Sequence, residues 1–589
     1  MARIPASLLR EPNFAALVVM VWLLVALMLL LQHWPQTAET LLDTDDAMRL
    51  VQMHAWLGGK GWFDIGEARL QPPLGYESHW SRLIDAGLAG LFLLFKPFAG
   101  ALEAERLMRA WWPLLWLLPA MAGTMAIAWR IAGREAALVA LLLATVGVPA
   151  YQQFTPGRID HHNVQIALTL LAVAATVWAD RKSWTAIAAG ALSGLVLAIG
   201  FESLPYIAAC GAAFAVRYIV DRDAAMALRN YGLALAGTML VGFAVSVGPD
   251  RWMRTLCDAI AINTLAATVC AGLVLALAGQ LAHRHALTRG AAVSAAGCIS
   301  VAVLLLFEKR CIGGPLAMAD PAIWPIWLSH VREMQPLLDV FEKNPLTAAS
   351  IAAFPSVAVL SALVLACGSK LRRDFGFLAA VLAFAVAALT TIMAIRTYSY
   401  AIWLGMPLVA GLALRLFVLL KLKSVAARVA AGLMLTPMAL SAGAITIAHA
   451  AGFDDRDSFA QPARRHCFNT ASYAPLAGLP PGLVVADVSY GPFLLALTPH
   501  SALAAPYHRL SAGIVTAHGA LAAPPDQARG LLAEAKVHYV MLCGPRPPDG
   551  LPELERSRSL WGRLQAGAVP DWLERVPAGP AFAVYRVKP

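Results

Sequence analysis

The chain has 589 residues, of which 59% are hydrophobic and 14% are charged, and its mean hydropathy is +0.63. Soluble proteins carry about 25% charged residues, so this composition excludes a soluble globular protein and predicts a polytopic α-helical membrane protein. The formal net charge of +10 does not indicate a nucleic-acid-binding surface, because the lysines and arginines lie in short loops between apolar segments.

Thirteen apolar segments are predicted to span the membrane, since a spanning helix needs about 20 mostly apolar residues. In chain order they are 13–32, 110–129, 135–150, 163–179, 184–200, 203–217, 231–248, 261–281, 288–306, 346–366, 375–394, 399–419 and 427–449. The first lacks a small-residue cleavage site, so we predict a retained helix rather than a signal peptide. The short apolar run 86–98 contains Lys96, and we predict a re-entrant or interfacial helix there.

Basic residues accumulate on one side of this topology. Those that precede the first span or follow an even-numbered span include Arg3, Arg10, Arg130, Arg181, Arg222, His283, Arg284, Lys370, Arg372 and Lys421. Their excess predicts that this side, with the amino terminus, is cytoplasmic. The loops 33–109, 150–162 and 307–345 and the carboxyl-terminal tail then face outward, into the periplasm if the membrane is a bacterial inner membrane.

The chain divides into two predicted domains, a transmembrane domain over 1–451 and a periplasmic domain over 452–589. The second is richer in Pro, Gly and charge, and its apolar runs shorten to strand length, which predicts a small soluble α/β domain. Four cysteines fall in predicted outer segments. Cys257 and Cys311 form one possible disulfide in an oxidising compartment, and Cys467 and Cys543 form another, although the spacing alone leaves the pairing open.

Two outer loops carry possible metal ligands. The first holds Asp43, Asp45 and Asp46, whose mutual repulsion favours a cation or protonation, although acidic residues also suit a solvated helix start. The second holds Asp160 and His162 directly before an apolar segment, where ionisable residues are functional candidates. Carboxylates with one imidazole suit Mn²⁺ or Mg²⁺. Zinc suits the pattern less, because no cysteine or third histidine lies nearby in sequence.

Three further residues have a functional and a structural interpretation. His161 more simply makes a structural hydrogen bond than binds the metal. Glu333, in the third outer loop, is either a solvated surface residue or part of a site. Arg396, at the outer end of span eleven, either extends to the membrane interface or grips a phosphate with two N–H groups.

These elements, in this order, resemble the catalytic subunit of oligosaccharyltransferases, especially the single-subunit archaeal and bacterial enzymes of the GT-C superfamily. The first outer loop of that family carries an aspartate six residues before an arginine, followed by Trp-Phe-Asp and Pro-Leu-Gly, as here after Asp43 and Arg49. Its second outer loop carries Gly-x-x-Asp-x-(Glu/Asp/His), which Gly157, Asp160 and His162 match. The sequence from Val331 to Pro336 is similar to a divergent Ser/Thr-x-x-Glu motif. The resemblance covers residues 10–450.

The resemblance implies a metal-dependent enzyme that transfers a sugar or oligosaccharide from a polyprenyl-(pyro)phosphate donor to a periplasmic acceptor. It implies Mn²⁺ or Mg²⁺ held by Asp43, Asp160 and His162, with Arg396 on the donor phosphate. Asp45 or Asp46 could replace Asp43 as ligand, act as a base or orient the acceptor. Glu333 would order the outer loop over both substrates.

The acceptor stays open, because the family's Trp-Trp-Asp-Tyr-Gly motif, which reads the Asn-x-Ser/Thr acceptor, is missing from 452–589. A protein, a lipid or a glycan could serve. One alternative is a GT-C enzyme that takes a monosaccharide from a polyprenyl monophosphate to modify a lipid or polysaccharide. A transporter or flippase fits less well. Transporters place their ionisable residues near the bilayer midplane, whereas the ionisable residues of this chain, such as Glu202, gather at the predicted outer ends of the helices. Retention of every candidate ligand argues against an inactive scaffold.

Overall fold

The computed structural model describes residues 11–281, 284–368, 371–456 and 466–588. Four of the basic residues used for the topology lie outside these ranges, namely Arg3, Arg10, His283 and Lys370. The segment just after the predicted domain boundary at 452, residues 457–465, also lies outside them.

Every predicted span coincides with a helix. These helices are α1 (Glu11–His33), α4 (Arg82–Ala132), α5 (Arg134–Thr145), α6 (His162–Val177), α7 (Trp184–Ile199), α8 (Leu204–Val220), α9 (Ala225–Ser246), α10 (Ile262–Gln280), α11 (Ala286–Phe307), α13 (Pro345–Ala366), α14 (Phe375–Met393), α15 (Tyr398–Leu419) and the pair α16 (Val425–Leu433) and α17 (Pro437–Ala450). In the described part of the chain, nine helices are long and apolar enough to cross a membrane, and the bent pair makes a tenth. The other three, α5, α6 and α7, are shorter, at 12, 16 and 16 residues. The polytopic helical fold is confirmed.

Helix α4 consists of two limbs that meet at a break. The run 86–98, predicted as a re-entrant or interfacial helix, lies in the first limb, and Gly100, where φ is +75°, separates it from the limb that holds span two. Glycine adopts this conformation easily because it has no Cβ. The limb before the break exposes Leu94 and Phe98, so an apolar surface lies beside the bundle.

The outer loops are ordered by short elements that converge at one end of the bundle. The first loop contains α2 (Gln36–Glu39), α3 (Thr44–Leu57) and the antiparallel strands β1 (Gly66–Glu67) and β2 (Tyr76–Glu77). The second contains a 3₁₀ helix, Val148–Phe154, and the third contains the 3₁₀ helix Arg332–Met334 and α12 (Leu337–Lys343). A disulfide joins Cys257, in the loop between α9 and α10, to Cys311 in the third loop.

The carboxyl-terminal region builds a mixed sheet, as its composition predicted. Its strands are β3 (Leu483–Val485), β4 (Ser501–Ala502), β5 (Tyr539–Leu542), β6 (Leu573–Val576) and β7 (Ala583–Val587). The order is β4-β3-β5-β7-β6, with β3 parallel to both β4 and β5, and β7 antiparallel to its two neighbours. The helices around it are α18 (Ala474–Ala477), α19 (Gly491–Leu497), α20 (Ser511–Ala522), α21 (Pro525–Glu534), α22 (Glu553–Arg556) and α23 (Leu560–Gln565). The second predicted disulfide, Cys467–Cys543, is also formed.

The sheet region packs directly on the first outer loop. Helix α19 lies against α3, and Arg69 donates hydrogen bonds to the carbonyl oxygens of Leu495 and Thr498 at 2.9 and 3.1 Å. Backbone hydrogen bonds also connect Gln71 and Ala502. Residues of the carboxyl-terminal domain therefore reach the same outer end of the bundle as the loops that carry the candidate ligands.

Candidate functional site

The first acidic cluster begins helix α3, and its members point in different directions. Asp43 is the N-cap: its Oδ1 accepts hydrogen bonds from the backbone N–H and the hydroxyl of Thr44 at 2.6 and 3.0 Å. This is the usual way to satisfy a free N–H at a helix start. Successive residues on a helix are rotated by about 100°, so Asp45 and Asp46 face different surroundings.

Asp46 connects the first and second loops. Its Oδ1 accepts hydrogen bonds from the backbone N–H groups of Ile159 and Asp160 at 2.7 and 3.1 Å. Its Oδ2 lies 3.1 Å from Arg158 Nη1, which also donates to Asp43 Oδ2 at 2.7 Å. Burial raises the pKa of Asp46 to about 7, and the charge of Arg158 offsets only part of this effect. Asp46 thus links two loops with both of its oxygens engaged.

The glycine of the second loop allows this approach. Gly157 has φ of +105°, and a Cβ there would lie 3.0 Å from Leu42 Cδ1. Its N–H donates to the carbonyl oxygen of Arg109 at 2.9 Å. A side chain at this position would be strained and crowded, so glycine permits the turn that brings Arg158 onto α3.

Asp160 and the two histidines that follow it form a compact group. Asp160 Oδ2 lies 3.0 Å from His162 Nε2, and Asp160 Oδ1 contacts His161 Nδ1. The possible ligand atoms of the three side chains all lie within 4.8 Å of one another. In the described part of the chain Asp160 Oδ2 is buried and accepts no hydrogen bond, and its close polar contact is the one with His162 Nε2. A buried carboxylate oxygen in this state is suited to a cation.

Asp45 adds a third charged side chain from α3. It is half-buried, lines a cavity together with His161, and makes no hydrogen bond among those of the described residues. Burial, and then the charges of Asp160 and Asp43, raise the pKa of Asp45 well above its ordinary value. Such mutual repulsion is relieved by a proton or by a metal ion between the carboxylates.

Arg396, at the outer start of α15, is paired with two acidic side chains. It forms an ion pair with Glu202, and its Nη1 lies 3.8 Å from Glu333 Oε1. Glu202 Oε2 in turn lies 2.9 Å from His162 Nδ1. A carboxylate on the far nitrogen of an imidazole directs the lone pair of the near nitrogen, an arrangement common behind metal ligands.

Two cavities meet at these charged groups. One, of about 620 Å³, has Arg332, Glu333, Arg396, Glu202 and His162 at its polar end, and its apolar walls include Ile166, Leu346, Ile351 and Ile445. The other, of about 330 Å³, is lined by Asp45, His79, Trp80, His161, Tyr507 and His508 among others. Glu202, Glu333 and Arg396 line both. We call the second one the outer cavity. A molecule in the 620 Å³ cavity and one in the outer cavity would therefore meet at these three charged side chains.

The structure brings together most of the residues predicted from the sequence. Asp45, His162, Glu333 and Arg396 each line one or both cavities and Asp160 lies against His162, whereas Asp43 and Asp46 are held on Arg158. Arg49 was matched by the family resemblance. It is fully buried, lies 3.0 Å from Asp85, stacks over Trp80 and supports the loop from within.

Sequence reasoning missed Arg158, Arg332, His79, Tyr507 and His508 as members of the site. Arg158 had one usable signal, its place beside Gly157 in a loop already singled out. Residues 506–509, Pro-Tyr-His-Arg, had no role that the sequence alone could assign, because their distance in sequence from the other loops gave no reason to join them.

Neither a family model nor a curated protein matches the sequence. Solved structures of the Archaeoglobus fulgidus oligosaccharyltransferase AglB do match in fold. The complex with an inhibitory peptide and a dolichol-phosphate has a TM-score of 0.63 at 13% identity, covering 89% of this chain and 69% of that one. The form tethered to an acceptor peptide with the NVT sequon gives 0.63 at 13% identity over 91% and 70%. The complex with Zn and sulfate gives 0.55 at 15% identity over 89% and 68%. This likeness confirms the GT-C fold that the sequence motifs predicted.

Proposed function

We propose that the chain is a metal-dependent glycosyltransferase that transfers a sugar or oligosaccharide from a polyprenyl-(pyro)phosphate donor to an acceptor outside the cytoplasm. The observation that carries this proposal is the meeting of two cavities, each with apolar walls, at the charged side chains of Arg396, Glu202 and Glu333, beside Asp160 and His162. A lipid-linked donor needs that combination, because its tail is apolar and its reacting end is anionic. The dolichol-phosphate bound by the archaeal neighbour supports the same donor class.

Asp45, Asp160 and His162 would hold the metal ion. The residues fit one, because Asp160 Oδ2 is buried beside His162 and the charge of Asp45 is destabilised by that of Asp160. We assign Asp45 in place of Asp43, since both oxygens of Asp43 are already engaged by Thr44 and Arg158. Two carboxylates and one imidazole favour Mn²⁺ or Mg²⁺, although the archaeal neighbour was solved with Zn and sulfate. When bound, the ion neutralises charge on the leaving phosphate.

Arg396 and Arg332 would bind the phosphate of the donor. Both line the polar end of the 620 Å³ cavity, and a guanidinium can grip a phosphate through two parallel N–H groups. Donor binding would displace Glu202 from Arg396 and leave Glu202 on His162 Nδ1, where it keeps the imidazole oriented. The apolar walls, which include Ile166 and Leu346, would hold the first isoprene units of the tail.

Glu333 would order the third outer loop over both substrates. Its carboxylate reaches Arg396 at 3.8 Å and lines both cavities. A loop ordered in this position would limit the access of water to the reacting end of the donor and favour transfer over hydrolysis.

We place the chain in a bacterial inner membrane with a cytoplasmic amino terminus and a periplasmic carboxyl-terminal domain. The loop charges support this orientation. The disulfides Cys257–Cys311 and Cys467–Cys543 lie on the outer side in it, as expected for an oxidising compartment. A monosaccharide donor on a polyprenyl monophosphate would use the same side chains. Assays with a monophosphate donor and with a pyrophosphate donor distinguish the two donor classes.

The purified protein and its Asp160→Ala variant test the proposal with radiolabelled sugar on polyprenyl monophosphate and on polyprenyl pyrophosphate. We expect sugar release or transfer that needs Mn²⁺ or Mg²⁺ and falls on the order of 100-fold or more in the variant, because metal-derived charge stabilisation is worth several kcal/mol. Mn²⁺ binding, measured by calorimetry, should weaken in parallel.

Asp250→Ala is the matched control, since the Asp250 side chain is 74% exposed and lies outside both cavities. Full activity of Asp160→Ala would refute the assigned site. Donor binding without any sugar release by the wild type would instead favour a transporter.

A further inference from the structure

A second charged group lines the outer cavity and is not used by the proposed donor chemistry. Asp258, in the loop between α9 and α10, accepts a hydrogen bond from His508 Nε2 at 2.7 Å. It also accepts two from Arg509, Nε to Oδ2 at 2.7 Å and Nη2 to Oδ1 at 2.6 Å. Burial acts against its charge, but these partners hold the pKa of Asp258 well below its ordinary value. Asp258 is therefore an ionised carboxylate at neutral pH.

That carboxylate determines which ring nitrogen of His508 carries the hydrogen. An ionised carboxylate only accepts hydrogen bonds, so His508 must carry its proton on Nε2, and in the neutral ring Nδ1 then has a free lone pair. Within the described residues Nδ1 makes no hydrogen bond and is not among the buried polar atoms. Because His508 lines the outer cavity, Nδ1 is available to accept a hydrogen bond from a bound molecule.

His508 is part of a wall that we call the acceptor wall, formed by His79, Trp80, Tyr507 and His508. The rings of His79 and His508 lie 5.1 Å apart, and those of Trp80 and Tyr507 meet edge to face at 5.3 Å. Burial lowers the pKa of His79 well below its ordinary value, so this imidazole is neutral. The wall thus carries imidazole nitrogens beside the rings of Trp80 and Tyr507.

The acceptor wall is fixed close to the candidate metal ligands. The hydroxyl of Tyr507 donates to the carbonyl oxygen of Thr44 at 3.3 Å, and Thr44 immediately precedes Asp45. Trp80 also packs on His161, with ring centroids 5.9 Å apart. A molecule on the wall would therefore lie in the same 330 Å³ cavity as Asp45 and Arg396.

Resting on the function proposed above, we propose that the acceptor wall binds a carbohydrate acceptor and that His508 Nδ1 accepts the proton of its attacking hydroxyl. A bond forms between the hydroxyl oxygen and the anomeric carbon of the donor. The bond from that carbon to the phosphate oxygen breaks, and the lipid phosphate leaves with the electron pair. The hydroxyl proton moves to His508, whose imidazolium is stabilised by Asp258, a positioning residue.

The chemistry of the wall favours a hydroxyl over an amide. An amide nitrogen shares its lone pair with the carbonyl group, so a group that only accepts a proton does not make it a nucleophile. A hydroxyl oxygen keeps its own lone pairs while it donates to an imidazole. Sugar rings also carry apolar C–H groups, which can contact the small exposed parts of Trp80 and Tyr507 that line the cavity.

His508→Phe and His508→Gln test this inference in the full-length protein. Two rates are compared with the donor that the wild type uses: transfer to oligosaccharides with free hydroxyls, and metal-dependent hydrolysis of the donor without acceptor. We expect His508→Phe to lower transfer by on the order of 100-fold and to leave hydrolysis nearly unchanged. His508→Gln should keep more transfer, because its amide can donate to Asp258 and its carbonyl oxygen can accept from the hydroxyl. The matched control is His518→Phe, a histidine of the same domain that donates to the Asp549 carbonyl oxygen away from the outer cavity.

Three results would overturn the inference. Equal losses of transfer and hydrolysis in His508→Phe, with a lowered melting temperature, would make the Asp258 group a structural clamp. Equal transfer by His508→Phe and wild type would remove His508 from the site. Glycosylation of an Asn-Val-Thr peptide but of no oligosaccharide would refute the carbohydrate acceptor. Absence of both metal-dependent transfer and metal-dependent hydrolysis in the wild type would instead refute the proposed function itself, so the two failures can be distinguished.

Discussion

Replacing Arg158 with methionine removes the cation that Asp43 and Asp46 share. The two carboxylates differ in their access to water, because the side chain of Asp43 is 41% exposed and that of Asp46 is 1% exposed. Because solvent screens the exposed charge of Asp43, the loss of its ion-pair partner costs little stability. Most of the destabilisation must therefore come from Asp46.

The magnitude follows from the buried carboxylate. Removing one partner of a buried ion pair destabilises a protein by about 3–5 kcal/mol. Even with Arg158 present, the pKa of Asp46 rises from 3.8 to about 7, which at about 1.4 kcal/mol per pKa unit makes its ionisation in the fold unfavourable by about 4 kcal/mol. Without Arg158 this penalty grows, so the carboxyl of Asp46 takes up a proton where the pH allows it.

The pH dependence has a defined sign. A carboxyl whose folded-state pKa lies above its unfolded value binds its proton more tightly in the folded state, so stability is greatest below the unfolded pKa and falls as the pH rises through the folded pKa. For Asp46 that window runs from about pH 4 to pH 7 and extends upward in the variant. Arg158→Met should therefore lose about 1 kcal/mol more stability at about pH 8 than at about pH 5.5.

Thermal unfolding of the detergent-solubilised protein at these two pH values measures the effect. Asp46→Asn combined with Arg158→Met should recover most of the stability at high pH, because the asparagine oxygen still accepts the N–H groups of Ile159 and Asp160. Arg254→Met is the control. Arg254 is 57% exposed and pairs with Glu77, so its loss should change stability by less than about 1 kcal/mol. Equal losses at both pH values, or no recovery in the double variant, would refute the reasoning.

Two further predictions concern the metal and the donor. Asp45→Asn should weaken Mn²⁺ binding in calorimetry by more than about tenfold, whereas Asp43→Asn should chiefly lower the melting temperature through Arg158; the opposite ranking would return the ligand role to Asp43. Arg396→Lys should raise the KM for the lipid donor by about tenfold, because an ammonium group cannot grip phosphate with two parallel N–H groups. An unchanged KM would place the donor phosphate elsewhere.

The helices were predictable because hydropathy and loop charge report directly on the solvent that each segment meets. All thirteen predicted spans are helices, including α6 and α7, which are shorter than a full span. The position of the break within α4 was not predictable in the same way. The break depends on one backbone conformation at Gly100, which hydropathy does not record.

The contacts of the candidate site were likewise predictable only in part. Asp160 and His162 are two residues apart, so a single turn places their side chains together and their spacing alone indicates a ligand pair. Arg158 with Asp46, and His162 with Glu202, come from different loops. The sequence predicted that these loops lie on the same face of the membrane, but it did not predict which of their side chains are in contact.

The sequence by itself determined the membrane fold and which loops carry the charged side chains, since both depend on local composition. Tertiary structure decided which atoms meet. On the first turn of α3 the rotation from residue to residue turns Asp43 toward Arg158 and Asp45 toward the cavity. The docking of the carboxyl-terminal domain on that helix brings His508 into the same cavity. Such distances arise from packing between distant segments, which no local pattern records.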